Sequence, residues 1–146
     1  MDQLRQHYDP RELEDRLRKL PDRARAARQR QILDQGFEAP FVNDAVLLHE
    51  KVLKEMETVL SGQTWLGGQD FSLADIAIVP YVNRLYRLGL GGMWSTRFNV
   101  TRWWDATQAR PSFETAITAF GSTAYDDDLR KRGIDVWPQV KALLAA

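Results

Sequence analysis

Ser72 and Asp75 stand three residues apart, and among the residues of this chain their types and spacing come closest to a reactive pair. A serine nucleophile needs a base such as histidine within reach. The two histidines, His7 and His49, lie far from this pair in sequence and far from each other, so they make no ligand pair either. The same spacing suits a helix-start device. The Ser72 hydroxyl can accept the backbone N–H of Asp75, and the Asp75 carboxylate can reach back to the N–H of Ser72. Phe71 and Ile76 flank them where a hydrophobic staple belongs, and a carboxylate is stabilised at the positive end of a helix. This device accounts for both residues and for their separation. It predicts a helix beginning after Ser72 and no catalytic residue.

The remaining candidates are weaker. Asp126, Asp127 and Asp128 are consecutive carboxylates without calcium-loop spacing, so a solvated helix start is expected there and no metal site. Between Arg16 and Arg30 there are seven basic residues against one acid, Asp22. Such a run can touch phosphate or an anionic partner, or it can be a solvated helix face. No aromatic interleaving or nucleic-acid motif accompanies it, and nucleic acid is not expected as a partner. The chain has no cysteine, which excludes disulfides, thiolate metal sites and thiol nucleophiles. Of its five tryptophans, Trp65, Trp103 and Trp137 fall at core-like positions. Trp103 and Trp104 are adjacent and point about 100° apart on a helix, so Trp104 can line a pocket.

The elements that must position these residues read as helices. Asp9-Pro10-Arg11-Glu12 is a helix start, followed by Leu13, Leu17 and Leu20 on one face. Pro21 ends that helix, and an arginine-rich one runs on to Gly36. Pro40 opens a long helix to Leu60, with Phe41, Ala45, Leu48, Val52, Met56 and Val59 as its apolar stripe. Glu50, Lys51, Lys54, Glu55 and Glu57 form its wet face. A loop from Ser61 to Phe71 follows, with Trp65 and Leu66 as anchors. The next segment, 73–82, carries one charge, Asp75, and its apolar surface on every side places it at the centre of a bundle. Pro80 predicts a kink in it. Asn99 can cap a helix carrying Trp103 and Trp104, and Ser112 a short one through Phe120. Residues 121–128 read as a loop, and Asp135, Trp137 and Pro138 open a last helix through Leu144. The fold class is therefore all-α, five to seven helices around a central buried helix.

At 146 residues the chain suits one domain, 1–146, and its 44% apolar content argues against disorder. Twenty basic and twenty acidic residues cancel, so no global field recruits nucleic acid or an acidic membrane. No apolar run approaches the roughly 20 residues needed to span a bilayer. The polar N-terminus lacks the apolar core of a signal peptide. With the absence of cysteine, these features fit a cytoplasmic protein.

The segment from Thr64 to Tyr81, TWLGGQDFSLADIAIVPY, closely resembles the entry to the central helix of the glutathione S-transferase C-terminal domain. In that family a buried loop, a Ser-x-x-Asp cap and a very apolar helix follow one another. Phe98 to Trp104 and then Ala109-Arg110-Pro111-Ser112-Phe113 are similar to the family's next helix and its Arg-Pro break. The likeness runs from about Gly36 to Phe120. It implies a GST C-terminal-like helical bundle that shapes the electrophile site and helps dimerise in a glutathione-conjugating enzyme. It also implies a thioredoxin-like domain or a second subunit as partner, and glutathione as the complete enzyme's co-substrate, with no cofactor held by this chain. By the same resemblance Tyr81 and Arg84, on the central helix, become candidate substrate-binding residues, with pairing to a neighbouring carboxylate as the other reading of Arg84; Trp104, from its place beside Trp103, is the third candidate. These residues contain nothing like the thioredoxin-like domain, which carries the group that stabilises the thiolate. The family's first C-terminal-domain helix also reads as shortened or missing, so the 1–146 domain reads as truncated at its N-terminus. The chain alone is therefore expected to be inactive. The alternative reading is a non-catalytic interaction module, as similar helical domains serve in translation factors and synthetases.

Overall fold

The computed structural model describes residues 9–121 and 123–145. Among them seven α-helices follow in order: α1 (Pro10–Arg18), α2 (Arg23–Gln35), α3 (Pro40–Leu60), α4 (Leu73–Arg87), α5 (Phe98–Gln108), α6 (Pro111–Ala116) and α7 (Thr123–Ala145). Short 3-10 turns lie at Gly36–Glu38, Gly91–Met93 and Thr118–Phe120. No strand occurs among the described residues, and a lone backbone bridge joins Trp65 to Gly68. The all-α class is as expected. No helix among these residues is long and apolar enough to cross a membrane. The chain divides into two compact units, one ending at Leu48 and one beginning at His49. His7 lies outside the described residues.

In the first unit, α1 starts on Asp9, whose carboxylate accepts the N–H of Arg11 at 2.8 Å, with Pro10 in the first turn. Asp22 caps α2 in the same way, through the N–H of Arg25 at 3.1 Å. Gly36, at φ 57°, ends α2 in a conformation that favours glycine. Leu17 is buried, but α2 buries no side chain fully.

Along α3 the buried positions are Val46, Leu53, Met56 and Leu60. Of the stripe read from sequence, Met56 alone is fully buried; Phe41, Ala45, Leu48 and Val59 are exposed, Leu48 by 60%. Both rows have helical spacing and both are apolar. Periodicity identifies the helix here without choosing between two apolar faces.

In the second unit, α4 packs on α7 and turns Asp75, Val79, Val82 and Leu85 inward. The cover expected on every side is present on one. Leu73 is 81% exposed, Ile76 53% and Tyr81 60%. The helix continues through Pro80, which is itself exposed. The bond that proline removes is to the carbonyl of Ile76, another exposed residue, and water can compensate there.

The last helix is longer than the sequence suggests. Residues read as a loop belong to α7, which runs unbroken from Thr123 past Gly133 and Pro138. Gly133 is buried against the end of α4. A Cβ on it would lie 1.4 Å from the carbonyl oxygen of Leu88, and one on Gly89 (φ 72°) would lie 2.6 Å from that of Arg130. A residue that weakens a helix locally is what lets two backbones cross this closely. Two other starts also differ. Ser112 lies inside α6, which begins at Pro111 after Arg110, and Asn99 lies inside α5, which begins at Phe98 after Arg97. Trp94, Trp103 and Trp104 are buried, whereas Trp65 and Trp137 are half-buried.

Candidate functional site

Asp75 is fully buried, and both its oxygens are saturated. Oδ1 accepts the backbone N–H of Leu66 and the indole N–H of Trp103, each at 2.8 Å. Oδ2 accepts the N–H and the hydroxyl of Ser72, each at 2.9 Å. Ser72 and Asp75 form a capping box at the start of α4, and its carboxylate also holds the preceding loop and α5. Burial is the largest single influence on Asp75 and pushes its pKa up. The four donors together outweigh it and hold the carboxyl below its ordinary value. A carboxylate held ionised and already accepting four hydrogen bonds is a poor proton acceptor, and the Ser72 hydroxyl donates to it. The pair is a structural hub without the base that nucleophilic chemistry needs.

The flanks of the staple behave differently from each other. The Phe71 ring stands edge-on to Trp65, at 5.0 Å between centroids, and the Arg110 guanidinium lies 3.9 Å over it. Ile76 turns half its surface to solvent. The Arg-Pro break thus sends its arginine back onto the loop that precedes α4.

A second carboxylate does at a distance what Asp75 does locally. Arg97, the residue before α5, supplies no side-chain cap. Glu57 on α3 takes that role, accepting the N–H of Val100 at 3.0 Å, the N–H of Asn99 at 3.3 Å and the side-chain amide of Asn99 at 2.8 Å. In return, Arg102 on α5 donates to the carbonyls of Leu60, the last residue of α3, and of Gln63 in the loop after it, each at 3.0 Å. Each helix therefore satisfies the open end of the other. Glu50 pairs with Arg97 beside them. From the sequence alone Glu50 and Glu57 belong to a wet face. The available signal was a helix start with arginine where a capping side chain belongs.

The three residues proposed to meet substrate do not share one surface. Tyr81 and Arg84 are exposed and lie three residues apart on α4. Trp104 is 3% exposed, tilted against Tyr86 at 5.5 Å and edge-on to Phe113 at 5.6 Å. It belongs to the core, because the inward face of α5 takes in both adjacent tryptophans. Its indole nitrogen, Thr107 Oγ1 and Arg110 Nε are buried without hydrogen-bond partners. Arg87, one turn beyond Arg84, is committed to Asp126 of α7. No cluster of three or more His, Cys, Asp or Glu side chains able to hold a metal occurs among the described residues.

The family model for the glutathione S-transferase C-terminal domain matches residues 21–111, more than half of the chain. The chain belongs to the glutathione S-transferase family. Within it, this chain is a C-terminal domain, and the match takes in the arginine-rich α2 that the sequence reading left outside the resemblance. It is 38% identical over 68 residues to glutathione S-transferase TCHQD of Arabidopsis thaliana, covering 46% of this chain and 26% of that protein. It is 32% identical over 74 residues to glutathione S-transferase F11 of the same plant, covering 50% and 35%. With glutathione S-transferase GstB of Escherichia coli (strain K12) the identity is 31% over 62 residues, covering 42% and 29%. The matched segment thus spans about a third or less of each of these relatives' lengths. No solved structure gives a significant match.

Proposed function

We propose that this glutathione S-transferase C-terminal domain forms the electrophile-site wall of a glutathione-conjugating enzyme. The observation that carries this reading is the exposed face of α4. Leu73, Ile76 and Tyr81 are large apolar groups left in water, and Arg84 stands beside them with no ion pair among the described residues. Contiguous apolar surface of this kind tends to find a partner. A thioredoxin-like domain seated there would present a glutathione thiolate to an electrophile, and sulfur would displace the leaving group or add to the acceptor carbon. Activating the thiol is the task of that domain. This chain contributes apolar cover at Tyr81 and, at Arg84, a cation for an anionic substrate or for charge that develops on it. The named relatives are transferases, which supports the reading.

The test compares the chain alone with the chain joined to a relative's thioredoxin-like domain, using glutathione and a chromogenic electrophile. The joined protein is expected to conjugate, and Arg84→Gln to raise KM for an anionic electrophile more than for a neutral one. The chain alone is expected neither to turn over nor to bind glutathione measurably. One-to-one micromolar glutathione binding by the isolated chain in a calorimeter would sink this assignment of roles.

The same bare face supports a second proposal, self-association of the isolated chain. Sedimentation across a concentration series should show a species heavier than the monomer. A monodisperse monomer that also fails to bind a hydrophobic dye would favour the non-catalytic interaction module instead.

A further inference from the structure

In the first unit, α1 and α2 border a cleft of about 700 Å³ lined by Arg11, Glu14, Asp15, Arg18 and Arg23. That is the size range of small-molecule sites. Both acids among its described lining residues are already committed. Glu14 pairs with Arg30, and Asp15 pairs with Arg18 at 2.6 Å and with Lys19. The ammonium of Lys19 and then the guanidinium of Arg18 hold the Asp15 carboxyl below its ordinary value. Arg30 and Lys19 lie outside the lining, whereas Arg18 lies within it and is committed to Asp15. Arg11 and Arg23 remain, one from each helix, with no acidic partner among the described residues. No acid occupies the first turn of α2, and Ala24, Ala26 and Ala27 keep its surface low between the arginines. The wider setting reinforces this, because seven basic residues against one acid fall between Arg16 and Arg30 in a chain whose net charge is zero.

Guanidinium groups are planar forks that match carboxylate and phosphate oxygens, and they stay charged at any relevant pH. Two such forks lining one metabolite-sized cleft from two helices make a site for an anion with several acceptor oxygens. We infer that the α1–α2 cleft binds a compact, multiply charged small-molecule anion, phosphate- or carboxylate-bearing, held by Arg11 and Arg23 with Arg18 beside them. A nucleic acid strand is disfavoured because no aromatic side chain on which bases stack occurs among the described lining residues. This site does not depend on the transferase reading.

The experiment is calorimetric titration of the full chain at low salt with inorganic pyrophosphate and, separately, with citrate. Saturable one-to-one binding of at least one is expected, weakening steeply as salt rises to about 0.5 M. Arg11→Gln and Arg23→Gln should each weaken it about tenfold, the loss expected for one charged hydrogen-bonding group. Lys141→Gln, a charge removed from α7, should leave it unchanged. Arg11 and Arg23 are exposed, so both variants should keep the parent's circular dichroism and thermal midpoint. Binding of pyrophosphate alone identifies a phosphate ligand, and of citrate alone a carboxylate ligand. The inference is overturned if neither anion binds at millimolar concentration. It is equally overturned if a folded Arg11→Gln/Arg23→Gln double variant binds as tightly as the parent.

Discussion

Two helices in the second unit begin on a carboxylate, and the two carboxylates come from different places. At α4 the cap is Asp75, three residues after Ser72. At α5 it is Glu57, more than 40 residues before Val100, whose N–H it accepts. Asp75 accepts the N–H of the residue just before its helix, Ser72, whereas Glu57 accepts those of the second and third helical residues, Asn99 and Val100. They differ in what else depends on them. Asp75 is buried and ties a loop, its own helix and an indole on α5 to one group. Glu57 is only half-buried and serves one helix end, and Arg102 secures the contact from the other side. A short-range cap can therefore become the hub of a unit, while a long-range cap remains one clasp among several.

The sharpest way to break that contrast is Asp75→Ala. The substitution strands four donors, two of them from outside the capping box, so it should cost about 3 kcal/mol or more, against about 1 kcal/mol for losing an ordinary cap. Urea midpoints compare it with Glu57→Ala, for which about 1 kcal/mol is expected. Equal costs would mean that Asp75 is a cap and nothing else. Ser72→Ala should also cost about 1 kcal/mol. The Ser72→Ala/Asp75→Ala double variant should lose less than the sum, since the two side chains form one device.

The adjacent tryptophans sharpen the same point at smaller scale. Trp103 gives its indole N–H to Asp75, whereas that of Trp104 has no acceptor. Trp103→Phe removes a hydrogen bond to a buried charge, worth about 2 kcal/mol, in addition to the change in packing. Trp104→Phe removes a buried donor that was unpaired, so it should cost clearly less. Thermal melts of the two variants check the order, and a reversal would detach Trp103 from the hub.

What could be read in advance follows the same division. The start of α4, its apolar character and the helical class were legible, because Ser72, Asp75 and the residues after them carry the information within one turn of chain. The cap on Asp9 belongs to the same kind. The α5 cap was not legible, because nothing near Arg97 names Glu57 and a glutamate among lysines on a long helix looks solvated. The buried face of α3 was missed because the helix has two apolar rows and only tertiary packing chooses Val46, Leu53 and Leu60. Gly133 was missed for a related reason. A glycine lowers helix propensity locally, and its purpose, the crossing at Leu88 and Gly89, lies more than 40 residues away. Of the site residues, Tyr81 and Arg84 stand on a free surface. Trp104 does not, because spacing on a helix fixes direction but not whether that direction is solvent.

The smallest expected effect is in the acid limb of stability. Both carboxylates have pKa values below their ordinary ones. For Glu57, burial is the largest influence and acts upward, and the N–H groups of Val100 and Asn99, the Asn99 amide and the charge of Arg97 outweigh it. A carboxyl with a lower pKa in the folded chain binds fewer protons there than in the unfolded chain. Its contribution is therefore complete above the unfolded values, about 3.9 for Asp and 4.3 for Glu, and is lost as pH falls through the lower folded values. Between pH 7 and 5 neither group should tilt the curve. Below about pH 4 the parent should weaken, Asp75→Asn should follow a flatter course from a lower starting point, and Glu57→Gln should flatten it less. The ordering follows from burial, since protonating Asp75 disturbs a closed set of four donors and protonating Glu57 leaves a site that water can reach. Urea midpoints from pH 7 to pH 3 measure all three curves. A parent that gains stability on acidification, or a Glu57→Gln curve flatter than that of Asp75→Asn, would reverse the roles given to the two caps.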